Sequence, residues 1–272
     1  MDTPNPEVPR LHVTPAERNL RVRQFWVTTL WGLLVLVAMV VGQIVPILYL
    51  LVRQGLLINL LKALKAADGE AVKVIMGEAV SGRIGLVAAL SIIMGVPAVL
   101  AVAWLASHFA RVPFADYLAL RWTSWKNLLL GVFGLAVLAI GWDLMSRAIG
   151  REIVPGFDVF KATHDQGVVV VWLLALAFGV AAPIWEEVFA RGVLYRGWSQ
   201  TFLRVPGAIV LSSLAWTLMH QQYDWYGLGE VFCLGLWFGY MRYRSDSTLL
   251  AIVIHGLNNF AVLAQAFYLA NQ

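Results

Sequence analysis

The chain has 272 residues, 60% of them hydrophobic and only 13% charged, about half the charged fraction of an ordinary soluble domain. That composition excludes a soluble enzyme and calls for a membrane as solvent. The net charge of +4 comes from basic residues flanking apolar runs, with no separate basic region; this fits contact with membrane lipids and argues against nucleic acid as a partner.

In chain order, residues 1–23 form a polar N-terminal arm with Pro4, Pro6, Pro9 and Pro15 and little apolar content, expected to be flexible or interfacial. Residues 24–272 read as a single membrane domain. Seven apolar segments stand out: Phe25–Val52, Ile84–Ala106, Leu128–Ile149, Val168–Phe189, Ala208–Gln221, Leu228–Met241 and Leu249–Leu269. A helix needs roughly 20 residues to cross the hydrocarbon core. The first four and the last therefore qualify as they stand, while the other two borrow residues from their flanks. The first is longer than a signal-peptide core and shows no convincing cleavage site, so it is expected to stay in the mature chain. The expected fold is all-α: a polytopic transmembrane helical bundle of about seven spans, or eight. Between the first two spans, Lys62, Lys65, Asp68, Glu70, Lys73 and Glu78 recur too often for hydrocarbon burial. That stretch is expected as an amphipathic helix lying in the interface.

With seven spans, the larger share of the twenty basic residues falls on the side of the N-terminus, which the positive-inside rule places in the cytoplasm. Asp143 and Arg147, at i,i+4, are expected to form a local ion pair. The following loop has a turn signal at Pro155-Gly156, Phe157 and Phe160 to dip into headgroups, and His164 beside Asp165 as a solvated loop histidine. Cys233 is the sole cysteine, so no intramolecular disulfide can form.

The intramembrane polar residues are concentrated in the last hundred positions. Glu186 and Glu187 end the apolar run from Val168, and Arg191 follows. A charge at membrane depth costs a few kcal/mol or more and is a functional-site candidate by default. Further on stand Trp216-TLM-His220 and His255-GLN-Asn259. Antiparallel helices joined by short loops allow depth to be estimated by reflecting residue numbers through each turn. On a rise of ~1.5 Å per residue, a turn near Leu203 sends Glu186 to His220. Turns near Tyr226 and Asp246 carry the same depth to Asn259, with His255 one helical turn away. Ser213, Thr217 and His220 give the fifth helix a polar stripe expected to face the bundle interior, and Gly235 and Gly239 let a neighbouring backbone approach the sixth.

These groups have the chemistry to activate water. Glu186, partly desolvated, suits a general base; His220 can hold the same water or pass its proton; Asn259 and His255 can stabilise a developing oxyanion. Glu187 and Arg191, at i,i+4, can pair and so neutralise the second carboxylate, a structural role. The same atoms permit a zinc reading, with Glu186, His220 and His255 as ligands and water in the fourth position. No HExxH is present, and both mechanisms stay open at this point.

Glu186-Glu187-VFA-Arg191, the His220 motif and His255-GLN-Asn259, in this order on successive apolar helices, resemble the CPBP intramembrane proteases. That family includes the type II CAAX prenyl proteases and bacteriocin-processing or immunity relatives. The likeness covers about residues 168–270, and its three-part pattern is more specific than any one piece. It implies an intramembrane endopeptidase of the CAAX-protease type, acting on a membrane-bound or lipidated substrate. It implies further that Glu186 is the catalytic glutamate, that His220 helps activate water, that His255 and Asn259 stabilise the intermediate, and that Glu187 and Arg191 complete the first motif. One departure is Trp216, where the family usually has Phe; Trp keeps the aromatic surface and adds bulk and an N–H. Two alternatives stand beside the protease: a proton- or cation-coupled transporter, and a non-catalytic immunity or scaffold member of the same fold. A transporter predicts matched broken helices in two halves, whereas Pro46, Pro97 and Pro183 fall at unmatched positions.

Overall fold

A computed structural model describes residues 14–151 and 167–270. Residues 1–13 of the polar arm, the Pro155-Gly156 turn, Phe157, Phe160, His164 and Asp165 lie outside the described residues.

Every regular element among the described residues is a helix. Helix α1 is Pro15–Arg53, α2 Leu57–Lys65, α3 Gly69–Val80, α4 Ile84–Ala110, α5 Phe114–Leu118 and α6 Trp125–Ala148. Helix α7 runs continuously over Val168–Trp198, and α8 is Arg204–Thr217, α9 Trp225–Ser245 and α10 Thr248–Ala270. Each of the seven apolar segments thus forms a helix, the fifth ending at Thr217, short of its predicted end at Gln221. Five helices, α1, α4, α6, α7 and α10, are long and apolar enough to cross a membrane, and they are the same five that qualify on sequence length alone. The chain is an integral membrane protein.

Local chemistry sets the helix ends. Thr14 caps α1 through a capping box with Glu17, and Pro15 takes the first turn, where its missing N–H costs nothing. Helix α1 therefore takes in residues 15–23 of the polar lead, and at 39 residues its length of about 59 Å exceeds what the hydrocarbon needs. The single amphipathic helix expected after α1 is instead two, α2 and α3, because the chain turns at Ala67, which takes a left-handed conformation, and Asp68 caps the next helix by accepting from the Ala71 N–H. Their apolar faces close on α1 through Leu51, Leu60 and Ala79. Asp143 and Arg147 form the expected pair, at 2.8 Å.

The tight packing gathers around the second half of α7. Residues 185–195, including both glutamates and Arg191, are all buried, whereas α6 and the outer faces of α1 and α4 expose Leu, Val, Phe and Trp, as lipid-facing surface should. Glycines let the helices approach. A Cβ on Gly42 of α1 would stand 2.6 Å from the Met94 carbonyl of α4, and one on Gly239 of α9 would stand 2.9 Å from Ile209 of α8. This agrees with the packing role expected for the α9 glycines.

Candidate active site

The geometry begins with an irregularity in α7. Two stretches, Ala177–Ala181 and Val188–Tyr195, are π-helical, and the α-helical turn between them, Ala182–Glu187, carries both glutamates. Proline explains the first. In the wide register the Ala182 N–H bonds to the Ala177 carbonyl, so the next carbonyl, Phe178, would look to residue 183 for its donor. Pro183 has none. The Asn259 side-chain N–H, from α10, supplies it at 2.9 Å. One turn away α10 comes so close that a Cβ on Gly256 would stand 2.7 Å from the Gly179 carbonyl. The π-turn and the glycine crossing together fix α10 against α7, and π-turns are frequent at functional sites.

The two glutamates then meet different surroundings. Glu187 is fully buried. Its Oε1 accepts from Arg191 at 3.0 Å and from His255 Nδ1 at 2.8 Å. Arg191 donates its other terminal N–H to the Gly235 carbonyl of α9 at 2.7 Å, and its guanidinium lies over the Trp216 and Phe238 rings at 5.0 and 5.6 Å. Four helices are tied together through this one cation: α7, α8, α9 and, by way of Glu187, α10.

Glu186 faces a cavity of about 620 Å³. Its Oε2 accepts from the indole N–H of Trp216 at 2.5 Å and stands 3.9 Å from His220 Nε2 and 3.8 Å from His255 Nε2. His220 lies just beyond the end of α8 rather than on it, so the expected helical stripe stops at the buried Ser213 and Thr217. Its ring is held instead by Nδ1 against the Trp216 carbonyl at 3.0 Å. Carboxylate and carbonyl oxygens only accept, so Nδ1 of both histidines carries the proton, and in the neutral rings each Nε2 is an acceptor. Three acceptors therefore converge on one spot of the cavity wall. Asn258 and Asn259 line the same cavity, whose other walls are largely apolar, among them Leu36, Met39, Ile92 and Leu174.

The sequence-predicted residues thus come together: Glu186, His220 and His255 at one point, Asn259 on the same cavity, and Glu187 with Arg191 behind them. Two contacts escape sequence reasoning. Trp216 bonds directly to Glu186, and His255 bridges to Glu187. A buried indole N–H needs an acceptor, which is the signal that could have flagged the first. For zinc the fit is poor: among the described residues no group of three His, Cys, Asp or Glu side chains is arranged to hold a metal ion.

Residues 168–261 match the family model described as type II CAAX prenyl endopeptidase Rce1-like. This segment resembles the Rce1-like family. It takes in α7, α8, α9 and the His255 and Asn259 turns of α10, so the Rce1-like segment holds every group converging on the cavity wall. Two curated relatives are similar to the chain. The UPF0177 protein YbdI of Lactococcus lactis subsp. lactis (strain IL1403) is 28% identical over 144 residues, 50% of this chain and 75% of the relative. The human sodium-coupled monocarboxylate transporter 1 is 28% identical over 111 residues, 40% of this chain, which spans only 18% of that transporter's length. No solved structure matches the chain.

Proposed function

We propose that the protein is a glutamate-type intramembrane endopeptidase that cleaves a peptide bond of a membrane-associated or lipidated substrate. The observation that carries this reading is the convergence of Glu186 Oε2 with the two Nε2 atoms, at 3.9 and 3.8 Å, on the wall of a largely apolar cavity. Gaps of that size between polar atoms suit a bridging water, and three acceptors favour a molecule that brings its own protons. Glu186 takes a proton from this water as its oxygen bonds to the scissile carbonyl carbon. The proton then passes, directly or through His220, to the leaving nitrogen as the C–N bond breaks. Asn259, with one N–H engaged by Phe178, has a second to offer the oxyanion, and His255 joins it when Nε2 carries a proton. Glu187 and Arg191 hold His255 and Trp216 in place.

In this reading the five long helices cross the bilayer and α8 and α9 enter as a pair, giving the seven membrane helices of the bundle. The 14 residues of α8 reach only about 21 Å, enough to bring the turn that follows to the level of Glu186. Whether the pair crosses or dips, its ends stay on the same side as the N-terminus, so the basic-residue count still favours a cytoplasmic N-terminus.

The test is cleavage of a membrane-anchored peptide by the purified protein in proteoliposomes. His220→Ala is expected to lower turnover about 10²- to 10⁴-fold, and a chelator to leave the wild type unchanged. Full activity in His220→Ala would sink the site assignment; chelator inhibition reversed by added metal would select the zinc reading. Trp216→Phe keeps the ring and deletes the N–H to Glu186. A hydrogen bond to a charged group contributes about 1.5–3 kcal/mol, so a fall of about ten- to a hundredfold in kcat with KM little changed is expected. Unaltered kcat would reduce Trp216 to a packing residue.

The similarity to a transporter favours a second reading, proton- or cation-coupled transport through the Glu186–His220 region. Substrate-dependent proton uptake into the same proteoliposomes, without peptide cleavage, would support it. A folded wild type with neither activity would indicate a non-catalytic immunity or scaffold member.

A further inference from the structure

A second cleft, of about 220 Å³, lies at the other end of α7, lined by Asp116, Arg121, Tyr195, Arg196, Arg242 and Asp246 among others. From the cleft-lining Arg196, Glu186 is ten residues back along α7, about 15 Å, so the cleft is separate from the large cavity. It sits where α7 and α9 end, α10 begins, and the α4–α6 connection with α5 passes over, which is the level at which the long apolar helices leave the membrane. The walls are tied to one another. The Thr248 N–H donates to the Ala119 carbonyl at 3.0 Å, and the Ser247 hydroxyl to the Arg121 carbonyl at 2.5 Å.

Three guanidiniums face two carboxylates here, and their partners are unequal. Asp246 holds Arg242 at 2.8 Å and Arg121 at 3.4 Å. Arg196 has no carboxylate partner among the described residues; its guanidinium lies over the Tyr117 ring at 4.1 Å. Arg242 is 5% exposed, packs over Tyr195, and its Nε has no hydrogen-bond partner. A buried guanidinium N–H without an acceptor is destabilising, and the cleft carries one positive charge in excess.

We propose that this cleft binds the phosphate of an anionic phospholipid headgroup, with the guanidiniums of Arg196 and Arg242 as donors. Planar guanidiniums match phosphate oxygens, and the volume is below that of drug-sized pockets but suits a headgroup. The position at the helix ends, on the side richer in basic residues, sets the phosphate at the depth where a lipid presents it.

Native mass spectrometry of the full-length protein released from detergent would count the lipids retained. Phosphatidylglycerol is expected to be retained by the wild type in clear excess over phosphatidylcholine, and about tenfold less by Arg196→Gln, the loss of one charge-assisted bond. Arg121→Gln, on the exposed rim, is expected to show a smaller loss in the same direction, and Lys62→Gln none. Thermal unfolding of each variant separates lost binding from lost fold. Equal phosphatidylglycerol retention by a folded Arg196→Gln, or equal retention of both lipids by the wild type, would overturn the proposal. So would stabilisation by inorganic phosphate alone at the concentration where the lipid acts, since that marks a free-phosphate site.

Discussion

Glu186→Gln is expected to lower peptide cleavage by about 10²- to 10⁴-fold while leaving the midpoint of thermal unfolding in detergent close to that of the wild type. Glutamine retains a carbonyl oxygen to accept the Trp216 N–H that Glu186 accepts at 2.5 Å. It has the same length and fills the same place beside the cavity. What it lacks is a carboxylate able to take the proton of a water facing His220 and His255. Because Glu186 borders the cavity instead of sitting in the closed network behind it, removing its charge strands no partner. Two results would defeat the assignment: turnover within a few-fold of wild type, or a loss of stability large enough to explain the missing activity.

The contrast with its neighbour shows how far the sequence could be read. Seven apolar segments become seven helices because burial in lipid leaves the backbone no other partner than itself, and the five judged long enough to cross are the five that the structure makes long enough. Counting residues through the turns brings Glu186, His220 and Asn259 to one level because helical rise is a constant of the backbone, with His255 a turn away; the structure sets His255 beside Glu186 and Asn259 a turn beyond, on the Phe178 carbonyl. Rotation about each axis is set by packing, and there the sequence is silent. Nothing local announces that His255 turns Nδ1 to Glu187, or that Arg191 reaches the Gly235 carbonyl 44 positions away. The π-turn is a middle case. Pro183 marks a lost backbone donor, but that the orphaned carbonyl is Phe178 and the substitute Asn259 follows only from the crossing of α7 and α10. The break between α2 and α3 was readable from Asp68, a good N-cap residue, yet the run of charges around it reads as one amphipathic surface.

Arg191→Met is the substitution expected to cost the most stability. The methionine covers part of the Trp216 and Phe238 rings but supplies no donor, so the Gly235 carbonyl loses its 2.7 Å bond and Glu187 its 3.0 Å one. A carboxylate with no solvent exposure is then left with His255 alone. Breaking a buried pair from one side costs about 3–5 kcal/mol because the remaining charge is uncompensated. The same reasoning predicts a rescue. Adding Glu187→Gln removes the stranded charge and still offers an oxygen to His255 Nδ1, so the double variant should be more stable than Arg191→Met alone, and the two effects should be strongly non-additive. Simple additivity in thermal unfolding would mean that the pair is not coupled, and wild-type stability in Arg191→Met would mean that this cation does not hold the helices together. Turnover in the double variant gives a separate reading. Glu186, His220 and Trp216 are all retained, so the restored fold should cleave again, at a rate limited by how well His255 and Trp216 are held without the guanidinium between them.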